Sequence, residues 1–312
     1  MTSTPWGGPA VSLRGVSKTY GSSRTPANDS ITLDLRPGEL VALIGHNGAG
    51  KTTLLNQLVG ATKPTAGHIS FEGRSLVEKP DLARRICSKM PQLQAPLTGV
   101  TPLQAVASIA RLRGAAGRNA QRAAAGALST LDISRWTRTS GEKLSGGLRR
   151  LTSYAMAVVI PPPVLLLDEP TNDVDPARRP LIWRHLRQLA DAGHIVVVVT
   201  HNLLEIERIA DRFVLMQYGK VLADQTSSQL AERSGAATMS VHLLPSAEEV
   251  STPPAVKVES SVSGELQLTL AKNQVLDAVE WTLALVEAGR VNSYSLAPAA
   301  LEAFYDGAVN DG

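Results

Sequence analysis

The 312-residue sequence has little of several features that mark particular classes of protein. Cys87 is its only cysteine, which excludes an internal disulfide and is typical of a reducing compartment. The longest apolar stretch, residues 158–167, is short and is interrupted by Pro161, Pro162 and Pro163. Because a membrane-spanning helix needs about 20 apolar residues, we expect no direct membrane insertion.

A strong net charge is missing as well, and we expect no secretory signal. The formal net charge is +3, which is too weak to indicate binding to nucleic acid or anionic lipid without a clustered basic patch. Residues 1–10 have neither the basic start nor the apolar core of a secretory signal. Hydrophobic residues make up 43% and charged residues 19%, as in ordinary globular proteins. We therefore expect a soluble, cytosolic chain of about two domains, with no nucleic-acid partner.

Hydrophobic periodicity over residues 1–230 predicts an α/β domain. Ile31, Leu33 and Leu35 alternate as in a half-buried strand, which indicates an antiparallel β layer. Continuous apolar strands are predicted at residues 40–44, 164–167 and 195–199. Helices are predicted at residues 51–59, 148–159, 177–190 and 203–210, and a strand pair at residues 213–216 and 221–223. This alternation favours a largely parallel sheet with helices on both faces.

A change of composition at residues 91–150 predicts a helical subdomain inserted into this domain. Leu103, Val106 and Ile109 have helical spacing, and an Ala-rich run follows. That run is also compatible with a low-complexity linker, but the spacing of Leu128 and Leu131 favours a packed helix.

Residues 231–312 are richer in Ser, Glu, Val, Thr and Pro, which predicts a C-terminal accessory α+β domain. Its strands are predicted at residues 239–244, 265–270 and 291–296, and its helices at residues 274–287 and 298–305.

A glycine-rich loop from Gly45 to Thr52 fits the pattern G-x-x-x-x-G-K-[ST] between an apolar strand and a helix. Glycines let the backbone wrap around phosphates, with N–H groups and the helix N-terminus pointing inward. Lys51 can then reach the β- and γ-phosphates, and the Thr52 hydroxyl can ligate Mg²⁺. The alternative is a glycine-rich turn without a ligand, which the strand and helix on either side disfavour.

Two carboxylates, Asp168 and Glu169, end the buried strand at residues 164–167. Near the glycine-rich loop, Asp168 would lie beside Mg²⁺ as a Walker B aspartate. Glu169, one residue beyond, could orient or deprotonate an attacking water. The alternative is an ordinary acidic turn, which loses weight once the glycine-rich loop is considered with it.

Two further sequences are weaker signals when taken alone. Ser145, Gly146 and Gly147 precede a helix and could bind an anion or only cap the helix. His201 follows an apolar strand, where side chains of an α/β fold point toward the ligand crevice. The other histidines are interpreted as surface or satisfied core residues.

Five motifs, GHNGAGKTT, MPQ, LSGG, LLLDEPTNDVDP and VVTH, occur in an order that resembles the nucleotide-binding subunits of ATP-binding cassette (ABC) transporters over about residues 10–230. The resemblance implies an ABC-type P-loop NTPase fold and binding of ATP and Mg²⁺. The resemblance implies that Tyr20 stacks on adenine. The other implied nucleotide-binding residues are Gly45, His46, Asn47, Gly48, Ala49, Gly50, Lys51, Thr52, Thr53, Ser145, Gly146, Gly147 and Asp175. Glu169, His201 and Gln92 are the implied catalytic residues, and Thr52, Gln92 and Asp168 the implied metal ligands.

Two positions depart from the family pattern. Leu148 stands where many members carry Gln, and Val174 replaces the usual Leu before the D-loop aspartate. We expect modest consequences, because Val and Leu are nearly isosteric and members of exporter type often have an apolar residue followed by arginines at the first position.

The resemblance implies a head-to-tail homodimer, or a dimer of closely related subunits, and a separate transmembrane permease at the cytoplasmic face of the membrane. Residues 295–304 look like the ending of bacterial drug-exporter ATPase subunits, so an exporter is expected. The alternatives are a soluble ABC ATPase of ribosomes or DNA repair, and an importer ATPase with a regulatory C-terminal domain. A GTP-binding or kinase-type P-loop protein would not need the LSGG motif or His201.

Overall fold

The computed structural model describes residues 10–21, 24–93, 97–234, 236–244, 257–262 and 265–298. Contacts divide the chain into two units, Met1–Asp224 and Gln225–Gly312. The division falls close to the predicted boundary after residue 230. Within the part of the chain that the structure describes, every helix is too short or too polar to span a bilayer.

The first unit combines two β-sheets with helices. Its strands are β1 (Val11–Lys18), β2 (Asn28–Leu35), β3 (Leu40–Ile44), β4 (Ala66–Phe71), β5 (Arg74–Ser75), β6 (Cys87–Met90), β7 (Val164–Asp168), β8 (Ile195–Val199), β9 (Arg212–Gln217) and β10 (Lys220–Thr226). The smaller sheet has the order β2-β1-β4-β5 and is antiparallel, which confirms the predicted antiparallel layer.

The larger sheet has the order β10-β9-β3-β8-β7-β6. Strands β9, β3, β8, β7 and β6 pair in parallel. Val199 of β8 pairs with Leu43 of β3 on one side and with Asp168 of β7 on the other. Strands β3, β7 and β8 are buried along their whole length, as their continuous apolar runs predict. Parallel strands end at one edge of a sheet, so the loops after β3, β6, β7 and β8 meet there.

Helices pack against this sheet and against one another. In the first unit they are α1 (Lys51–Leu58), α2 (Pro80–Ile86), α3 (Pro102–Leu112), α4 (Gly117–Thr130), α5 (Gly146–Val158), α6 (Arg179–Asp191) and α7 (Leu203–Glu207). The Thr101 side chain caps α3 in a reciprocal bond with Gln104, and the Ala-rich run forms α4 instead of a linker. Helix α7 is shorter than predicted, because the chain turns to pair the Asp211 N–H with the Leu40 carbonyl before β9.

The second unit contains a sheet and a covering helix. Its elements are α8 (Ser227–Ser234), β11 (Ala236–Leu243), β12 (Lys257–Val262), β13 (Glu265–Ala271), α9 (Val275–Glu287) and β14 (Val291–Pro298). The sheet order is β12-β13-β11-β14, and Met239, Val241 and Leu268 pack with Ala278 of α9 in its core. Pro298 ends β14, and the rest of the helix predicted at residues 298–305 lies outside the described residues.

Candidate active site

A cavity of about 410 Å³ lies at the edge of the large sheet where its parallel strands end. It is lined by residues from five loops or strand ends: Ala27, Asn47, Gly48, Ala49, Gly50, Lys51, Thr52, Thr53, Gln92, Asp168, Glu169, Val199 and His201. The fold therefore brings together most of the residues that the sequence motifs predict for a nucleotide site.

The glycine-rich loop connects β3 to α1 around the Lys51 side chain. The Lys51 ammonium donates hydrogen bonds to the carbonyls of Gly45, at 2.5 Å, and His46, at 2.9 Å. Gly45 and His46 do not line the cavity, but their carbonyls hold Lys51 at its wall. Burial lowers the pKa of Lys51, and the charges of Glu169 and Asp168 oppose that change. A lysine ammonium at the wall of the cavity suits the binding of phosphate oxygens.

Sequence reasoning missed the residues that support this loop from outside. The buried Asn28 side chain donates to the Gly50 carbonyl at 3.0 Å, and the Gly219 N–H donates to the Ala49 carbonyl at 3.1 Å. Tyr218 and Gly219 both have positive φ, as a tight hairpin turn between β9 and β10 requires. This turn and β2 fix the loop, and neither contact has a local sequence signal.

An oxygen-rich corner is formed where the loop meets β7. The Thr52 hydroxyl donates to Oδ2 of Asp168 at 3.0 Å, and Gln92 lines the same cavity. A hydroxyl, a carboxylate and an amide carbonyl are hard oxygen donors of the kind that Mg²⁺ prefers. The residues present therefore fit a magnesium ion.

The Glu169 carboxylate is held at the inner wall of the cavity, and only 3% of the residue is exposed. The backbone N–H of His201 donates to Oε2 at 3.4 Å, and Nε2 of His201 lies 3.3 Å from Oε1. Among the described residues, Oε1 has no hydrogen-bond partner of acceptable geometry. Burial raises the pKa of Glu169, while His201 opposes the rise. A basic carboxylate with an unused oxygen can accept a proton from a substrate water.

Arg150 is a further residue of this site that the motifs did not predict. Its guanidinium is buried and donates to the carbonyls of Asp168 and Glu169 at the end of β7. It also donates to the carbonyls of Pro91 and Gln92 after β6. Arg150 thus connects α5 to two loops of the cavity.

A second cavity of about 660 Å³ contains four further predicted residues, Ser145, Gly146, Gly147 and Asp175. It is lined by Arg135, Trp136, Ser145, Gly146, Gly147, Leu148, Asp173, Asp175 and Arg178. The Ser145 hydroxyl accepts the Leu148 N–H at 3.3 Å and so caps α5, which begins at Gly146 and not at residue 148. The Arg178 side chain binds Asp175 at 2.7 Å and lowers the pKa of that carboxyl.

Position 147 of this second cavity requires glycine. A Cβ atom there would lie 2.6 Å from the Asp173 carbonyl oxygen. Tyr20 lines neither of these two cavities. The residue is 46% exposed, and the Lys18 ammonium lies 5.1 Å from the centroid of its ring. The structure thus places most of the predicted residues in two separate groups, whereas Tyr20, Gly45 and His46 line neither cavity.

Together, the doubly covered parallel sheet, the glycine-rich loop and the paired carboxylates define a P-loop nucleoside triphosphatase. Residues 28–172 match the family model described as ABC transporter. The chain is 33% identical over 226 residues to the doxorubicin resistance ATP-binding protein DrrA of Mycobacterium tuberculosis (strain ATCC 25618 / H37Rv), covering 72% of this chain and 68% of that protein. The chain belongs to the ABC transporter family, as an ATP-binding and ATP-hydrolysing protein.

Other relatives differ in how much of their own length this chain covers. The daunorubicin/doxorubicin resistance ATP-binding protein DrrA of Streptomyces peucetius is 28% identical over 305 residues, covering 94% of this chain and 90% of that protein. The Nod factor export ATP-binding protein I of Mesorhizobium japonicum (strain LMG 29417 / CECT 9101 / MAFF 303099) is 32% identical over 215 residues, covering 69% and 63%. The chain spans 11% of the length of ATP-binding cassette sub-family A member 7 of Rattus norvegicus, with 32% identity over 73% of this chain.

Solved structures agree with the fold. A dimeric post-hydrolysis state of the ATP-binding cassette MJ0796 bound to ADP and Pi is similar, with a TM-score of 0.64 and 26% identity. The similarity covers 70% of this chain and 98% of that structure.

Proposed function

We propose that this chain is the ATP-driven subunit of an exporter, and that it works as a pair of cassettes bound to a separate permease at the cytoplasmic face of the membrane. The names of its relatives support this, since one is an export ATP-binding protein and others are drug-resistance ATP-binding proteins. The similarity to the Streptomyces protein includes the C-terminal unit, which we interpret as an accessory domain of the same exporter type. The soluble and importer alternatives are disfavoured by the same relatives.

One observation carries the pairing: the motif residues of a single chain line two different cavities. Lys51, Thr52 and Glu169 line the first cavity, whereas Ser145 and Asp175 line the second. A triphosphate needs cationic and N–H donors on all sides of its γ-phosphate. A second copy, placed head to tail, would bring its second cavity to the open side of the first. Each ATP would then lie between the two copies.

Within this pair, the loop of one copy and the helix start of the other would bind the same nucleotide. Lys51 and the N-terminus of α1 would bind the β- and γ-phosphates. The Ser145 hydroxyl and the N-terminus of α5 of the second copy would bind the γ-phosphate from the opposite side. Tyr20, which is half exposed, is free to stack on adenine. Closure of the pair would exclude bulk water and strengthen these interactions.

Hydrolysis would proceed by attack of a water held by Glu169 on the γ-phosphorus, while the bond from that phosphorus to the β–γ bridging oxygen breaks and ADP leaves. Glu169 would take the proton from the water, and His201 would contact the γ-phosphate beside it. Thr52, Asp168 and Gln92 would hold Mg²⁺, which neutralises charge on the phosphate oxygens when it is bound. Loss of the γ-phosphate removes the group that bridges the copies, so the pair opens. Gln92, next to the helical subdomain, would pass this change to the permease.

The proposal is tested with Glu169→Gln, which keeps the shape of the side chain and removes its charge. ATP binding should persist, while turnover should fall by about 10²–10⁴-fold, the usual contribution of a general base. The matched control is Glu78→Gln, which neutralises an exposed carboxylate away from both cavities. Lys51→Ala should instead weaken ATP binding itself. Unchanged turnover in Glu169→Gln would remove this residue from the mechanism.

A further inference from the structure

Arg150 occupies an unusual position for a charged side chain. Arg150 is only 1% exposed, and its guanidinium donates hydrogen bonds to backbone carbonyls. Burial lowers the pKa of Arg150, and the charges of Asp168, Glu169 and Asp173 oppose that change. A buried cation is costly unless its N–H groups are all used. The cost indicates that these particular contacts matter to the folded state.

The hydrogen bonds of Arg150 join two loops that are distant in sequence. Nη1 donates to the carbonyls of Gln92, at 2.7 Å, and Pro91, at 2.9 Å. Nε donates to the Glu169 carbonyl at 3.1 Å, and Nη2 donates to the carbonyls of Asp168 and Glu169. Because the guanidinium is rigid and planar, it fixes the spacing between the two loops.

The Glu169 backbone needs such support. Its φ is +52°, in the left-handed region that costs a non-glycine residue about 1–2 kcal/mol. Its N–H donates to the Val199 carbonyl at 2.8 Å, which fixes one side of the peptide. Its carbonyl accepts from Arg150 and, at 3.3 Å, from the Asn172 N–H. The left-handed turn is what directs the carboxylate into the cavity next to His201.

We propose that Arg150 is a positioning residue that holds Glu169 in its left-handed conformation and locks the Gln92 loop to it. The proposal rests on the proposed role of Glu169 as the general base. Arg150 lies on α5, the helix that Ser145 caps, so a movement of α5 changes the geometry of Glu169 and of Gln92 together. Binding of the second copy at the N-terminus of α5 would thereby place the Glu169 carboxylate in position for hydrolysis.

The test compares Arg150→Lys and Arg150→Gln with a matched control, Arg187→Lys. Arg187 also donates to backbone carbonyls, those of Ile209 and Gly38, but none of its hydrogen-bond partners lines either cavity. Lysine keeps the charge and glutamine keeps an N–H donor, and neither side chain can span both loops. Each variant is measured for kcat, for the dissociation constant of ATP, and for amide hydrogen exchange by mass spectrometry.

Both Arg150 variants should lose about 10–100-fold in kcat, as expected for a misplacement of about 1 Å, with an ATP dissociation constant within about threefold of the wild type. Exchange should become faster in peptides covering residues 87–93 and 164–173 together, and stay unchanged over residues 45–53. The Arg187→Lys control should show neither change.

Three results would overturn the proposal: wild-type kcat in both variants, weaker ATP binding equal to the loss of kcat, or exchange that rises uniformly over the first unit. Failure of both variants to fold would also overturn it, because the side chain would then serve the fold as a whole. Glu169→Gln is measured alongside. If Glu169→Gln keeps wild-type turnover, the proposed role of Glu169 as the general base fails. If Glu169→Gln is inactive while both Arg150 variants keep wild-type kcat, only the present inference fails.

Discussion

Replacement of Gly50 by alanine would place a methyl group where the phosphate-binding loop has no space. Its Cβ atom would lie 2.3 Å from the Ala27 carbonyl oxygen and 2.5 Å from Nδ2 of Asn28. Backbone atoms cannot rotate away, and the Asn28 amide is buried and bonded to the Gly50 carbonyl. The φ of Gly50 is also +99°, which is strained for any other residue.

Gly48 is a matched control in the same loop. Its φ is +86°, but nothing lies within 4 Å of a Cβ atom built there. Alanine at Gly48 should therefore cost only the backbone strain, about 1–2 kcal/mol. Alanine at Gly50 should add about 1–3 kcal/mol for the disrupted buried hydrogen bond and about 1–3 kcal/mol for overpacking. The difference between the two variants is then about 2–6 kcal/mol.

Differential scanning calorimetry of the full chain without nucleotide measures this difference. At about 2–4 °C per kcal/mol for a unit of this size, the transition of the first unit in Gly50→Ala should lie at least about 4 °C below that in Gly48→Ala. The rise in melting temperature on adding Mg²⁺ and ATP should also be smaller in Gly50→Ala, because the loop that binds the phosphates has moved. Equal melting temperatures in the two variants would refute the packing argument.

Two further predictions concern titratable groups. Burial raises the pKa of Glu169, and His201 opposes the rise. Because a general base acts only when it is ionised, kcat should begin to fall with decreasing pH while the pH is still above the ordinary pKa range of glutamate. In His201→Ala this fall should move to still higher pH. An acid limb that stays in place or moves lower in His201→Ala would contradict the argument. Burial raises the pKa of Cys87 to about 12, so about one thiol in 10⁴ is ionised at pH 8, and labelling by a thiol reagent should follow unfolding; rapid labelling of the native chain would contradict it.

The sequence predicts the central strands well because their signals are local. Strand β3 has the predicted limits of residues 40–44, since a continuous apolar run lies between a turn and a glycine. Helix α2 was not predicted, because its seven residues contain too few apolar positions to show a period. Strand β12 was missed as well, since polar residues make up most of Lys257–Val262.

The residues of the candidate site likewise differ in whether a local sequence signal predicts them. The glycine-rich loop and the carboxylates of β7 are contiguous motifs, and the parallel sheet brings them to one cavity. Arg150 and Asn28 act through contacts with residues far away in sequence, 58 positions from Gln92 and 22 positions from Gly50. Their partners are backbone carbonyls, which carry no side-chain identity, so no residue pattern could have revealed these contacts.

The pairing of two chains around ATP is tested most directly by sedimentation velocity of Glu169→Gln and of the double variant Glu169→Gln/Ser145→Arg. With Mg²⁺ and ATP, the single variant should sediment as a dimer, and without nucleotide as a monomer. The double variant should bind ATP with the same affinity and remain a monomer, because the added side chain fills the helix start that a second copy's γ-phosphate would occupy. A double variant that dimerises as readily as the single variant would contradict the shared site.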